Sequence, residues 1–141
     1  MFLSEIVKVV KVKDHSAAGT SGVTSDVVDT AGYRGCLFLT SFGTAAANNT
    51  LKVQSGTNPT VTDAADLEGT SLASGASDED VWIDVQGPNE RYLQVVAARG
   101  TSSTLESIWA ILYGGPVAPV SNVLAGTITG EAHLAPAEGT A

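Results

Sequence analysis

Apolar and polar residues alternate along this chain in short bursts and rarely recur at helical spacing. Gly35 to Phe42 sets Phe38 and Phe42 on one face and Leu37 and Leu39 on the other. Thr50 to Gln54 turns Leu51 and Val53 inward and Lys52 and Gln54 outward, and Val81 to Gln86 turns Val81, Ile83 and Val85 inward. These period-two runs predict strands. Val23 to Thr30, Arg91 to Ala98 and Ser107 to Tyr113 extend the set. Ile6 to Val12 is rich in β-branched residues and is read as a strand, although Leu3, Ile6, Val7 and Val10 also fit a short helix.

The two last strands are apolar on both faces: Ile108, Ala110 and Leu112 alternate with Trp109, Ile111 and Tyr113. Such a strand is central in a two-layer body, or has one face covered by another subunit. Trp109 and Tyr113 are residue types that anchor interfaces, so they are candidate interface residues. Gly-Thr pairs at Gly43, Gly56, Gly69, Gly100, Gly126 and Gly139 punctuate the strands as turns. Thr62 to Leu67 reads as a single helical turn capped by Thr62 or Asp63, and Ser71 to Asp80 as an exposed loop.

About seven or eight short strands without an amphipathic helix predict an all-β fold, a β-sandwich or jelly-roll-like single domain. Residues 1–22 form an N-terminal segment and residues 23–114 the body. From Gly115 the texture changes. Gly114-Gly115-Pro116 ends the last strand, and the rest is small, nearly free of aromatics and too poor in apolar bulk to build a core of its own. Residues 115–141 are read as an extended C-terminal arm. Its Pro116, Val117, Pro119, Val120, Leu124, Ile128, Leu134 and Pro136 are candidate contacts for a partner's sheet edge or groove. The competing readings are a disordered tail, or a last strand folded back on the same subunit.

Composition narrows the functions. Hydrophobic residues make up 43% and charged residues only 16%, against roughly 25% charged in ordinary domains. The net charge is −8 and Lys plus Arg number 7, which speaks against nucleic acid and anionic membranes as partners. Asp63 to Glu90 holds eight acids and no base, a solvated acidic face. Cys36, the one cysteine, lies in an apolar run and suits a buried thiol in a reducing cytoplasm. Glu5, Lys8 and Lys11 break any signal-peptide core, and no apolar stretch approaches the ~20 residues of a membrane span.

Catalytic signatures are sparse. His15 and His133 are the only histidines, in a turn and in the arm, and no zinc, phosphate-loop or nucleophile-elbow motif is present. Asp84 shares a face with Trp82, a pattern that suits a sugar site, but exposed carboxylates are the simpler reading. Asp78, Glu79 and Asp80 offer oxygens to calcium, yet their spacing does not match an EF-hand loop. No catalytic residue, metal site or cofactor is expected, and the chain is read as non-enzymatic. Arg91 and Arg99 are expected to pair with Glu90, Asp84 or a neighbouring subunit.

Asp66-Leu-Glu-Gly-Thr, Asn89-Glu-Arg-Tyr-Leu-Gln-Val-Val, Arg99-Gly-Thr-Ser-Ser, Ile108-Trp-Ala-Ile-Leu-Tyr-Gly and the closing His133-Leu-Ala-Pro-Ala-Glu-Gly-Thr-Ala resemble small virion proteins of tailed phages and prophages, of the capsid cement (decoration) type. The likeness spans Gly32 to Ala141. It implies a β-rich module that assembles as a homotrimer, or as a dimer, on the capsid exterior. There it would clamp the major capsid protein through extended arms, after synthesis in the bacterial host cytoplasm. It carries over no active-site residues. The alternative is a carbohydrate-binding jelly-roll module of a phage head fibre or receptor-binding protein, which requires exposed aromatics, Trp82 foremost.

Overall fold

Strand alternation decides which side of each sheet is buried, and here it assembles two antiparallel sheets around one core. The computed structural model describes residues 1–115, 118–135 and 137–140. A short helix α1 (Leu3–Ile6) leads into β1 (Lys8–Lys13). There follow β2 (Ser16–Gly19), β3 (Val23–Thr24), β4 (Val28–Asp29), β5 (Gly35–Phe42), β6 (Asn49–Gly56) and β7 (Ala65–Asp66). The remaining strands are β8 (Leu72–Ser74), β9 (Glu79–Gln86), β10 (Tyr92–Ala98), β11 (Ser103–Leu105) and β12 (Ile108–Tyr113).

One sheet has four strands in the order β1-β12-β5-β9. The other is built on β3-β10-β6-β7, with β4 beside β10 and β8 beside β6, and a small β11-β2 ladder stands apart. The fold is all-β and sandwich-like, as the alternation requires. The core is shared between the sheets: Val12, Cys36, Phe38, Phe42, Val81, Ile108, Ala110 and Leu112 come from the four-stranded sheet, and Leu51, Val53, Leu93, Val95 and Ala97 from the larger one. Phe38, Phe42, Leu51 and Leu93 are fully buried. No helix among the described residues is long and apolar enough to cross a membrane.

The expected strands at Gly35–Phe42, Thr50–Gln54, Val81–Gln86, Arg91–Ala98 and Ser107–Tyr113 correspond to β5, β6, β9, β10 and β12. Several local expectations differ. The body begins earlier than Val23, because β1 pairs with β12 and sends Val10 and Val12 into the core. Val23 to Thr30 is divided into β3 and β4, both laid against β10. Thr62 to Leu67 forms no helical turn. The Asp63 carboxylate is drawn back to the Thr57 N–H and hydroxyl at 2.9 and 2.7 Å, which leaves Ala65 and Asp66 to pair with β6. Within Ser71 to Asp80, β8 pairs with the start of β6 and buries Ser74.

The arginines also find other partners than expected. Arg91 clasps Asp29 with two hydrogen bonds of 2.7 Å each and so ties β4 to the start of β10. Arg99 meets carbonyls: its guanidinium donates to Ser21, Ala17 and Ser103 oxygens at 2.8, 2.6 and 3.1 Å. The turn after β10 is thereby tied to the β2 region.

Candidate interaction surface

The two sheets treat solvent differently. On the larger sheet the middle of the outward side is polar and joined together, with Tyr92 and Val96 as its larger apolar members. Lys52 and Gln54 both reach Asp66, and Gln94 donates to Gln54 at 2.8 Å. This is the usual outcome for an antiparallel sheet with one wet side.

The four-stranded sheet breaks that rule. Register alignment sets its outward residues in rows across the strands. The first row runs Lys11, Trp109, Leu39, Trp82; the second Val9, Ile111, Leu37, Asp84; the third Tyr113, Gly35, Gln86. Leu37, Leu39, Trp109, Ile111 and Tyr113 are half-buried on the side away from the larger sheet, Val9 is half-buried beside the arm, and Trp82 is 59% exposed. Trp82 and Trp109 flank Leu39, two strand spacings or about 10 Å apart. A contiguous exposed apolar face of this kind marks an interaction site.

Polar groups border this face on one side. The Tyr113 hydroxyl donates to Asp84 Oδ1 at 2.7 Å across the top of Gly35. Burial first, then the hydrogen bond to Asp84, push the Tyr113 phenol up to about 12. Asp80 lies on the same edge strand, and a shallow hollow of about 330 Å³ separates it from Trp109, Leu39 and Glu106.

The arm lies along β1, the opposite edge of the sheet. Asn122 acts as a side-chain substitute for a neighbouring strand. Its Oδ1 accepts the Val9 N–H at 2.8 Å, and its Nδ2 donates to the Ser4 and Val7 carbonyls at 2.7 and 2.9 Å. Val120 N–H donates to the Glu5 carbonyl, and Lys8 Nζ to the Ser121 carbonyl. A turn then joins Leu124 to Ile128, and a groove of about 260 Å³ remains between it and β1.

The candidate residues thus fall into groups. Trp109 and Tyr113 stand on the outer sheet face. Val120 and Ile128 are half-buried where the arm meets the body, while Pro119 is exposed. Leu124 and Leu134 are 60% and 84% exposed. Pro116, Val117 and Pro136 lie outside the described residues. Sequence reasoning grouped Leu37 with Leu39 and Ile111 with Trp109 and Tyr113, but named none of the three as contacts. Their parity opposite Phe38 and Ala110 was the available signal. Asn122 had none, since nothing in its neighbourhood distinguishes it.

The groups weighed for chemistry are dispersed. His15 approaches Glu106 at 3.2 Å and His133 approaches Glu131 at 3.1 Å. Glu79 accepts from Ser74 on one side of β9 while Asp80 and Asp84 project to the other. Among the described residues, no three His, Cys, Asp or Glu gather as a metal site would require. Cys36 is fully buried, and burial followed by the Asp84 charge pushes its thiol up to about 12, well away from a reactive thiolate. No family model matches this chain, and no curated protein matches it.

Proposed function

We propose that this protein is a non-catalytic virion component, a phage decoration protein that binds the outside of the major capsid shell and stabilises it. The observation that carries the binding reading is the contrast between the two sheets. One outer side centres on the Lys52-Gln54-Asp66-Gln94 polar network; the other offers Trp82, Trp109, Leu39, Leu37 and Ile111 to solvent or to a partner. Burying area across a seam asks for such a face and not for pKa-tuned groups. The capsid as partner rests on the sequence resemblance, and the exposed arm beyond Ile128 suits a clamp across neighbouring subunits. The charge of −8 keeps many exposed copies soluble and disfavours nucleic acid.

The test is co-sedimentation with purified expanded capsids, followed by thermal disruption of the loaded particles. Saturable binding and a raised disruption temperature are expected. A protein that leaves capsids unbound and unprotected overturns the proposal.

One observation favours a second reading, a carbohydrate-binding module of a head fibre. Trp82 and Trp109 are presented on one flat face beside Asp80 and Asp84, an arrangement on which sugar rings can stack. A glycan array with Trp82→Ala as control separates the two readings.

A further inference from the structure

The inward apolar residues of the four-stranded sheet are not covered equally. Phe38 of β5 and Ala110 of β12 are fully buried, whereas Ile83 and Val85 of β9 are only half-buried. The strand β9 stands at the edge of the sheet, with β5 as its one partner among the described strands.

One hydrogen bond fixes which backbone groups this edge leaves open. Gly87 N–H donates to the Arg34 carbonyl at 2.7 Å, one step beyond the aligned pair of Gly35 with Gln86. In an antiparallel pair the direction of the backbone groups alternates, so Ile83 and Val85 turn theirs to β5. Trp82, Asp84 and Gln86 turn theirs away, and all three residues are exposed. Such a row is a template for one more strand. Eight residues long, β9 has neither proline nor lysine to blunt it, and its register with β5 runs without a bulge.

We infer that the open edge of β9 receives an extended segment of a partner protein in which lysine or arginine alternates with apolar residues. This deepens the proposed function and rests on its reading of the chain as a binding module. The side chains of an added strand fall into two sets. One set lies on the core side and gives Ile83 and Val85 the cover they lack. Leu72, 39% exposed, lines a hollow of about 390 Å³ there with Val81 and Trp82. That set is apolar. The other set stands on the outer face beside Asp80, Trp82 and Asp84. Because β9 carries three acids and no base, the outer set is basic, and an acidic segment is turned away at the same positions.

The experiment titrates the full chain with a peptide of about seven alternating lysine and valine residues, followed by amide exchange. Saturable binding is expected, with exchange slowed at the Trp82, Asp84 and Gln86 amides. Methylating the peptide's backbone nitrogens keeps its charge, removes its ladder donors and should weaken binding about tenfold. Replacing its lysines by glutamates should weaken it as much. Asp80→Lys should weaken the lysine peptide about threefold and strengthen the glutamate peptide. The inference is overturned by no binding at about 1 mM peptide, by a methylated or glutamate peptide that binds equally well, or by slowed exchange at Val9 and Lys11 instead. Slowed exchange at the β9 amides on concentrating the protein without peptide also overturns it, since the occupant is then a second copy. Capsid co-sedimentation is read separately: a chain that binds capsids but no peptide loses the edge site and keeps the decoration function.

Discussion

Tyr113 closes over Gly35 and donates its hydroxyl to Asp84, so one side chain spans three strands of the outer face. A Cβ at Gly35 would collide with the phenol ring. Gly35→Ala should therefore cost about 1–3 kcal/mol, as overpacking does. Tyr113→Phe keeps the ring and loses the hydrogen bond, at a cost of about 0.5–1 kcal/mol for this exposed pair. Urea denaturation of both variants checks the order; equal losses would show that the glycine is not needed for the ring.

The same pair has a pH signature. Because the folded phenol is raised to about 12, its stabilising contribution is present below the ordinary tyrosine value and is lost as pH rises through 12. Ultraviolet titration should show a tyrosine ionising near 12. Asp84→Asn should bring that ionisation down toward the ordinary tyrosine value.

At the acid end, Asp29 is held down to about 2 by the hydrogen bonds of Arg91 and then by the Ala31 N–H. A depressed carboxylate adds stability above its unfolded value, and the gain is lost as pH falls through about 4 to 2. The pair is largely exposed, so the contribution is about 0.5 kcal/mol after screening. Asp29→Asn should be less stable than the unaltered protein at neutral pH and equal to it near pH 2; a gap that persists in acid would contradict the assignment.

Trp82 and Phe38 offer a control on what the outer face does. Phe38 is fully buried and Trp82 is 59% exposed. Phe38→Ala should cost about 3–5 kcal/mol, whereas Trp82→Ala should stay within about 0.5 kcal/mol. Parallel melts with binding assays then separate a folding residue from a contact residue.

Strand placement was legible because a period of two is local: Phe38 and Leu37 declare their faces without reference to any neighbour. The four-stranded sheet's outer side was half legible for the same reason. Ser107 to Tyr113 shows two apolar faces, but only register brings Trp109, Leu39 and Trp82 into one row. What stayed hidden depended on long-range partners. Asp63 was a plausible helix cap until the Thr57 N–H and hydroxyl competed for it. Arg99 looked like half of an ion pair, yet the carbonyls of Ala17 in β2, Ser21 just after it and Ser103 in β11 converge on it. The β1 strand was set in an N-terminal segment apart from the body because its partner, β12, lies more than 90 residues on.

Asn122 tests how far the arm belongs to the body. Asn122→Ala removes the acceptor for Val9 and the donor to Ser4 and Val7, which should cost about 1 kcal/mol. Amide exchange at Val9 should quicken. Deleting residues from Pro116 onward should leave the core folded and show the same quickening. If the deletion unfolds the body, the arm is an obligatory part of the fold.

The seal that Asn122 places on β1 also governs how sheets can grow. β9 keeps an unpaired edge among the described strands, guarded by Glu79, Asp80 and Asp84. A basic strand such as β1 would be its natural complement, and side-by-side joining of β1 to β9 would propagate from copy to copy without end, as head-to-tail contacts do. With the Val9 N–H at the start of β1 already held by Asn122, that end of the strand is closed to a second copy's β9, and the joining is hindered at its first step.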